Sequence, residues 1–323
     1  MVVNPSKARA GQAVSAVVAR CAEASLPAPT IYETTVVDPG TVQAEQALAS
    51  GAELVIVAGG DGTVRATAKA LAESNVPMAV LPIGTGNLLA RNLSLPLTSI
   101  EEALTVALTG QTRAIDVGWM RVTQTEIGLD GTPRAGAGVV GDVQPFLVIA
   151  GLGFDAAMVT DVDAKLKHRF GWPAYFLAGL RHLHGRRIHA AITLDDGQRL
   201  TTHARSVMVG NCGRIPGGFT LLPAAMVDDG VLDVAAIDTR GGLAGWAQLF
   251  GTVALQGVSA PREGGRGRTS SLKMGRIDHL QARHTRIRVN PAASAQVDGD
   301  ALGKVTEVEV WVDRQALLVR MPG

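Results

Sequence analysis

A chain of 323 residues, 46% hydrophobic but only 4% aromatic, can bury more than one core built mainly from aliphatic side chains. Its formal net charge of +1 provides no global field that would steer the protein to nucleic acid. Cys21 and Cys212 lie on apolar stretches without a partner at zinc-ligand spacing, which indicates buried free thiols in a reducing compartment.

The first third of the chain alternates strand and helix patterns. Val2 and Val3 end a first strand, and residues 4–7 turn into a helix over about 11–23. No basic region and apolar stretch of signal-peptide length opens the chain, so we expect no export. Further elements are predicted at 30–37, 42–49, 54–58, from 63, 78–81, 85–93 and 100–108. This alternation predicts a mostly parallel sheet with helices on both faces.

A glycine-rich turn follows the buried apolar run at 53–58, with the sequence GGDGT at 59–63. Its glycines can take positive φ and bring backbone N–H groups close to an anion, while the following helix N-terminus favours negative charge. Asp61 would repel a phosphate unless a cation such as Mg²⁺ lay between them, so the loop predicts a metal-bound nucleotide. An ordinary Asp-Gly turn after a strand is the alternative.

Residues 77–93 repeat the same design of short apolar strand, glycine-rich turn and helix, with Gly84, Thr85 and Asn87 in the turn. Loops at the carboxyl ends of neighbouring parallel strands share one crevice. The two loops together therefore predict one nucleotide site at this edge of the sheet.

From Ala114 onward strand patterns dominate, which predicts a second domain built as a sandwich or barrel-like sheet. Strands are predicted at 114–122, 146–150, 187–194, 198–210, 231–237, 284–289, 295–297, 307–312 and 317–320. Residues 241–261 carry no charge and favour an amphipathic helix, and the basic stretch 262–276 follows them. A helix of this kind beside arginines could contact a bilayer surface, and a flexible linker is the alternative.

The pair of motifs, GGDGT at 59–63 and LPIGTGNLLARNL at 81–93, resembles the bacterial diacylglycerol kinase family, soluble lipid kinases related to NAD kinases and sphingosine kinases. The resemblance implies an α/β plus all-β protein. Residues 1–112 would form a Rossmann-like three-layer α/β nucleotide-binding catalytic domain, and 113–312 a C-terminal β-sandwich domain for the lipid substrate. The nucleotide cleft would lie between them, and the last strands, 313–323, would brace the first domain.

The activity implied by the resemblance is transfer of the γ-phosphoryl group of ATP, with Mg²⁺, to the hydroxyl of diacylglycerol or a similar lipid. The product would be phosphatidic acid, a precursor in phospholipid biosynthesis. Such an enzyme is expected in the cytoplasm, peripherally associated with the membrane, without a nucleic acid partner and compatible with a homodimer. An NAD kinase-like phosphotransferase and a nucleotide-binding regulator without turnover remain alternatives.

The resemblance also assigns the nucleotide-binding residues. They are Asn4, Thr34, Gly59, Gly60, Asp61, Gly62, Thr63, Val64, Arg65, Gly84, Thr85 and Asn87. Asp61 is the candidate for organising Mg²⁺ through water, with Asp116 either as a helper or as a strand-edge surface carboxylate. The chain departs from the family pattern where Lys7 and Ala8 replace a glycine, and where Arg65 and Leu88 replace polar residues.

The catalytic base is predicted in the sequence QVDGD at 296–300, which resembles the DGE turn of the family. Asp300 would face the acceptor hydroxyl and act with Asp61, while Asp298 is the competing choice. A β-hairpin turn of acidic residues without function is the alternative. By resemblance, Asp229 and the backbone carbonyls of Met226 and Val231 would hold a structural Mg²⁺.

Overall fold

The computed structural model describes residues 1–128, 131–153, 187–215, 219–220, 222–239, 268–272 and 275–323. The chain divides into two compact units, Met1–Val117 with Arg314–Gly323, and Gly118–Asp313. The first unit is α/β and the second is a β-sandwich, which confirms the predicted fold class.

Helices and strands alternate in the first unit. They are β1 (Val2–Val3), α1 (Ala10–Glu23), β2 (Tyr32–Glu33), α2 (Thr41–Ala49), β3 (Val55–Gly59), α3 (Asp61–Leu71), β4 (Met78–Pro82), α4 (Leu88–Asn92) and α5 (Ile100–Thr109). The strands pair in parallel in the order β4-β3-β1-β2, and near the end of the chain Val319 pairs in parallel with Met78.

The packing of this unit follows from its sequence pattern. Every residue of β3 and β4 is buried, as expected for parallel strands covered on both faces. Helix α1 buries Ala13, Val17 and Cys21, which recur every fourth residue and so lie on one face. Helix α5 begins behind Ser99, whose hydroxyl accepts the Glu102 N–H as an N-cap.

The second unit consists of antiparallel strands. They are β5 (Gln111–Thr125), β6 (Val143–Phe146), β7 (Ile149–Leu152), β8 (Ile188–Leu194), β9 (Arg199–Ala204), β10 (Ser206–Gly210), β11 (Arg214–Ile215), β12 (Phe219–Thr220), β13 (Leu232–Thr239), β14 (Arg268–Leu272), β15 (Gly275–Ala282), β16 (His284–Val297) and β17 (Asp300–Met321). Strands β5 and β17 begin in one unit and end in the other.

The strand order of this unit is β14-β15-β13-β10-β7-β16-β17, with β8 and β9 added beside the first half of β16 and β5 beside β17. Its core is aliphatic, with residues such as Val207, Val234, Ile287 and Val308 buried together. This aliphatic core agrees with the low aromatic content of the sequence.

Several predicted strand limits are wrong. The strand expected at 30–37 stops at Glu33, because Asp38 Oδ1 accepts the N–H groups of Gly40, Thr41 and Val42 and folds the chain into a turn. The strand expected at 198–210 is two strands, β9 and β10, which have different partners on either side of Arg205. Conversely, 284–289 and 295–297 form one strand, and 307–312 and 317–320 belong to the single strand β17.

Candidate functional site

The two glycine loops lie side by side in the first unit. Strands β3 and β4 are parallel neighbours, and Gly59 pairs with Pro82 at their carboxyl ends. A Cβ atom on Gly84 would lie only 2.5 Å from the Cα of Gly60, so the loop backbones are in direct contact. Any larger side chain at position 84 would force them apart.

These glycines serve close packing and do not use positive φ. Gly60 has a φ of −98° and a ψ of −172°, which is extended backbone, and Gly62 lies within helix α3. At Gly59 a Cβ atom would lie 2.5 Å from the Cβ of Thr63. The GGDGT sequence therefore lets helix α3 start immediately after β3, with its first N–H groups at the edge of the sheet.

The side chain of Asp61, in the first glycine loop, is hydrogen-bonded to the second glycine loop. Its carboxylate accepts the backbone N–H of Asn87 at 2.9 Å and that of Leu88 at 2.5 Å. Those two N–H groups therefore already have an acceptor within the protein. A loop aspartate looks dispensable for folding from sequence, but this one holds the start of α4 in place.

Asn87 completes the second loop. It adopts left-handed backbone with a φ of 49°, which asparagine tolerates better than most residues. Its side chain is buried, accepts the N–H of Gly84 at 3.1 Å and donates to the Gly84 carbonyl at 2.8 Å. Thr85, between them, is exposed. The loop is thus a closed turn with its tip in solvent.

Other predicted nucleotide residues surround the same edge. The side-chain amide of Asn4 donates to the Thr63 hydroxyl at 3.3 Å, which ties the turn after β1 to helix α3. Thr34 is buried, and its N–H donates to the Val3 carbonyl at 2.9 Å. Val64 is buried and Arg65 partly buried in the first turns of α3. The structure therefore brings the predicted residues of this unit to one edge of the parallel sheet.

Lys7 also lies at this edge, a residue that sequence reasoning treated only as a departure from the family pattern. Its Cε and Nζ atoms would be 3.7 and 3.8 Å from a Cβ atom on Gly60, so the ammonium group lies over the glycine loops. Lys7 and Ala8 stand in place of the family glycine, so the departure from the family pattern adds a positive charge. The sequence contains a signal for this position, because lysine is a common phosphate-binding residue.

In the second unit, Asp298 and Asp300 belong to the tight turn that joins β16 and β17. Val297 pairs with Asp300, and Asp298 and Gly299 both have positive φ, 46° and 92°, as a two-residue hairpin turn requires. Asp298 is buried, and its carboxylate accepts the N–H groups of Leu147, Val148 and Ile149. Asp300 is exposed.

The predicted structural metal site lies in the turn before β13. Oδ1 of Asp229 accepts the N–H of Val231 at 3.1 Å, and Gly230 has a φ of 74°, so 229–231 form a tight turn. Met226 is exposed. One carboxylate and two backbone carbonyls are donors that suit a hard cation such as Mg²⁺. Within the described ranges, no group of three His, Cys, Asp or Glu side chains converges as a metal site.

Asp116 is not a surface carboxylate. Its side chain is fully buried in β5, and Oδ1 accepts the N–H of Gln315 at 2.7 Å. Asp116 therefore binds the returning end of the chain to the first unit.

The amphipathic helix predicted at 241–261 lies outside the described residues. Of the basic stretch 262–276, the structure describes only the residues that belong to β14 and β15. In the part of the chain that the structure describes, no helix has the length and hydropathy to cross a membrane.

Comparison with known proteins agrees with this geometry. Residues 1–120 match the family model of the diacylglycerol kinase catalytic domain, and 148–255 match that of the YegS C-terminal NAD kinase beta sandwich-like domain. A crystal structure of a Bacillus anthracis diacylglycerol kinase superposes with a TM-score of 0.71 at 22% identity, covering 99% of this chain and 95% of that one. The fold is therefore that of the diacylglycerol kinases. Residues 1–120 are similar to the catalytic domain of that family.

Curated relatives have related descriptions. A Pseudomonas aeruginosa protein named "Probable lipid kinase YegS-like" is 35% identical over 201 residues, 60% of this chain and 58% of its own length. A Mycobacterium tuberculosis protein named "Diacylglycerol kinase" is 30% identical over 210 residues, 64% of this chain and 62% of its own. The matched region thus spans less than two thirds of each of these relatives.

Proposed function

We propose that the protein is a lipid kinase that transfers the γ-phosphoryl group of ATP to the hydroxyl of diacylglycerol or a similar lipid, giving phosphatidic acid or its analogue. The observation that carries this proposal is the backbone contact between Gly60 and Gly84, which places two glycine loops beside the start of helix α3. Bare backbone, a helix N-terminus and the Lys7 ammonium group together suit a polyphosphate.

The residues at this edge have distinct roles in the proposal. The first N–H groups of α3 and Lys7 bind phosphate oxygens, while Asp61 keeps the second loop in register through Asn87 and Leu88. The carboxylate oxygens of Asp61 have further lone pairs, so they also fit a Mg²⁺ ion held through water. When bound, Mg²⁺ neutralises charge on the transferring phosphoryl group.

Asp300 is the proposed catalytic base. As the lipid oxygen forms its bond to the γ-phosphorus, the bond from that phosphorus to the bridging oxygen breaks and ADP leaves. The hydroxyl proton passes to the Asp300 carboxylate. Exposure of Asp300 at a hairpin tip supports this role, and the engagement of Asp298 with three N–H groups makes Asp298 the poorer base.

In the same proposal, Asp229 and the backbone carbonyls of Met226 and Val231 would hold a structural Mg²⁺ in the turn before β13. The reaction takes place at the cytoplasmic surface of a bilayer, because the acceptor lipid resides there.

The test is incubation of the purified protein with radiolabelled ATP, Mg²⁺ and extracted bacterial lipids, followed by chromatography. We expect label in a single lipid, whose mobility identifies the acceptor, and loss of that label in Asp300→Asn. Label on NAD in a parallel reaction would instead assign an NAD kinase. ATP binding without transfer to either acceptor would indicate a regulator.

A further inference from the structure

A glutamine side chain closes over the hairpin turn that precedes Asp300. Oε1 of Gln296 accepts the backbone N–H of Gly299 at 2.7 Å, three residues further along the chain. Gln296 is half-buried near the end of β16, where it pairs with Gly151 on one side and with Ala301 on the other. Both of these neighbours are small, so the glutamine amide has room to reach the turn.

This hydrogen bond holds the central peptide group of the turn. Asp298 has a φ of 46° and Gly299 a φ of 92°, and positive φ at both central residues is characteristic of a type I′ turn. Type I′ and type II′ turns differ mainly in the orientation of the peptide group between the two central residues. Glycine adopts either sign of φ, so Gly299 by itself permits both turns. Gln296 accepts the N–H of that peptide group and therefore favours the type I′ form.

Other contacts fix the chain on either side of Asp300. The carboxylate of Asp298 accepts three N–H groups of the 147–149 segment. Further along β17, a Cβ atom on Gly303 would lie only 2.7 Å from the nitrogen of Gly138, so the two backbones are in direct contact there. Asp300 lies between these two fixed points, and the glutamine holds the residue directly before it.

We infer that Gln296 is a positioning residue for Asp300, the proposed catalytic base. This inference rests on the proposed function, because Gln296 acts only through the proton transfer to Asp300. The direction of the Asp300 side chain depends on the dihedral angles of Gly299, so rotation of the preceding peptide group would shift the carboxylate relative to the lipid hydroxyl. A misplacement of about 1 Å can reduce a rate roughly 100-fold. Gln296 therefore affects turnover and not the binding of ATP, whose proposed ligands belong to the first unit.

Two substitutions at position 296 separate the acceptor oxygen from the rest of the side chain. Gln296→Met has a similar length but only a weakly accepting sulfur, whereas Gln296→Glu retains an acceptor oxygen. In steady-state kinetics of lipid phosphorylation we expect kcat to fall about tenfold or more in Gln296→Met, with the KM for ATP unchanged, and to recover for the most part in Gln296→Glu. Gln198→Met, the same change at an exposed position between β8 and β9, is the control and should keep wild-type kinetics.

A double-mutant cycle with Asp300→Asn tests whether the effect passes through Asp300. If it does, Gln296→Met should lower kcat no further in the Asp300→Asn background, because the base that it positions is already absent. A general loss of structure would instead lower kcat by the same factor in both backgrounds. Additive effects of this kind, or wild-type kcat in Gln296→Met, would overturn the inference.

Amide hydrogen exchange followed by NMR tests the hydrogen bond itself without turnover. The Gly299 N–H should exchange slowly in the wild type and in Gln296→Glu, and about tenfold or more faster in Gln296→Met. If the thermal melt shows that Gln296→Met does not fold, Gln296→Ala takes its place in all three measurements. Equal exchange of this N–H in the wild type and in the variant without the acceptor would also overturn the inference.

Failure of the proposed function has a different signature. Unlabelled lipid would refute the kinase, and normal kcat in Asp300→Asn would refute its base; the positioning role would fall with either. Reduced kcat in Asp300→Asn together with wild-type kcat in Gln296→Met would refute only the positioning role.

Discussion

Asp298 and Asp300 are separated by one glycine, yet their carboxylates have opposite surroundings. Asp298 is 7% exposed and accepts N–H groups from Leu147, Val148 and Ile149 at 2.7, 3.0 and 2.8 Å. Asp300 is exposed at the first position of β17. In this two-residue hairpin turn the two side chains point in different directions. Asp298 therefore anchors the turn, while Asp300 faces outward.

This difference predicts distinct effects for two matched substitutions. Asp300→Asn cannot accept a proton, so we expect kcat to fall by roughly 10²–10⁴-fold with little change in thermal stability. Asp298→Asn loses hydrogen bonds to a charged acceptor, so it should cost about 1–3 kcal/mol of unfolding free energy. Kinetics and thermal melts of both variants check this. Normal turnover in Asp300→Asn with impaired turnover in a fully folded Asp298→Asn would reverse the assignment.

The contact between the glycine loops predicts that Gly84→Ala impairs nucleotide use. Its Cβ would lie 2.5 Å from the Gly60 Cα, so the loops must separate and the phosphate-binding backbone is displaced. We expect a rise of about tenfold or more in the KM for ATP, and a lower melting temperature. Gly11→Ala in α1, where a Cβ meets nothing within 4 Å, is the control and should be neutral or stabilising. Unchanged ATP kinetics in Gly84→Ala would show that the loops do not form the cradle.

The ion pair between Arg286 and Glu309 predicts a pH-dependent stability difference. The hydrogen bond from Arg286 lowers the pKa of Glu309 below its usual 4.5, helped by the charges of Arg286, His284 and Arg121 and opposed by burial. A lowered folded-state pKa contributes stability that is present above pH 4.5 and is lost as the pH falls through the lowered value.

Glu309→Gln should therefore lower the melting temperature at neutral pH but have less effect at pH values below about 4. The exposed Glu45→Gln on α2 is the control. A destabilisation by Glu309→Gln that is equal at both pH values would contradict the linkage.

Local sequence patterns predicted the parallel strands and the two glycine loops well, because a buried apolar run or a glycine-rich turn is determined by residues that are close together in the sequence. They did not predict hydrogen bonds between distant segments. Nothing in the local pattern shows that Asp61 caps α4 from another loop, or that Asp116 is buried against Gln315. The short β2 is a similar case, since Asp38 takes a β-branched run out of the sheet.

Lys7 provides the last prediction. Its Nζ atom lies over Gly60, where phosphate oxygens of ATP are proposed to bind, so Lys7→Met removes a charged donor without removing the aliphatic stem. A hydrogen bond to a charged group contributes about 1.5–3 kcal/mol, which corresponds to a rise of roughly 10–100-fold in the KM for ATP. The melting temperature should change little, because Lys7 belongs to a surface turn.

Lys69→Met, at an exposed position in the last turn of α3, is the matched control and should leave KM unchanged. Equal ATP kinetics in the two variants would show that Lys7 does not contact the nucleotide, and the phosphate cradle would then rest on backbone N–H groups without it.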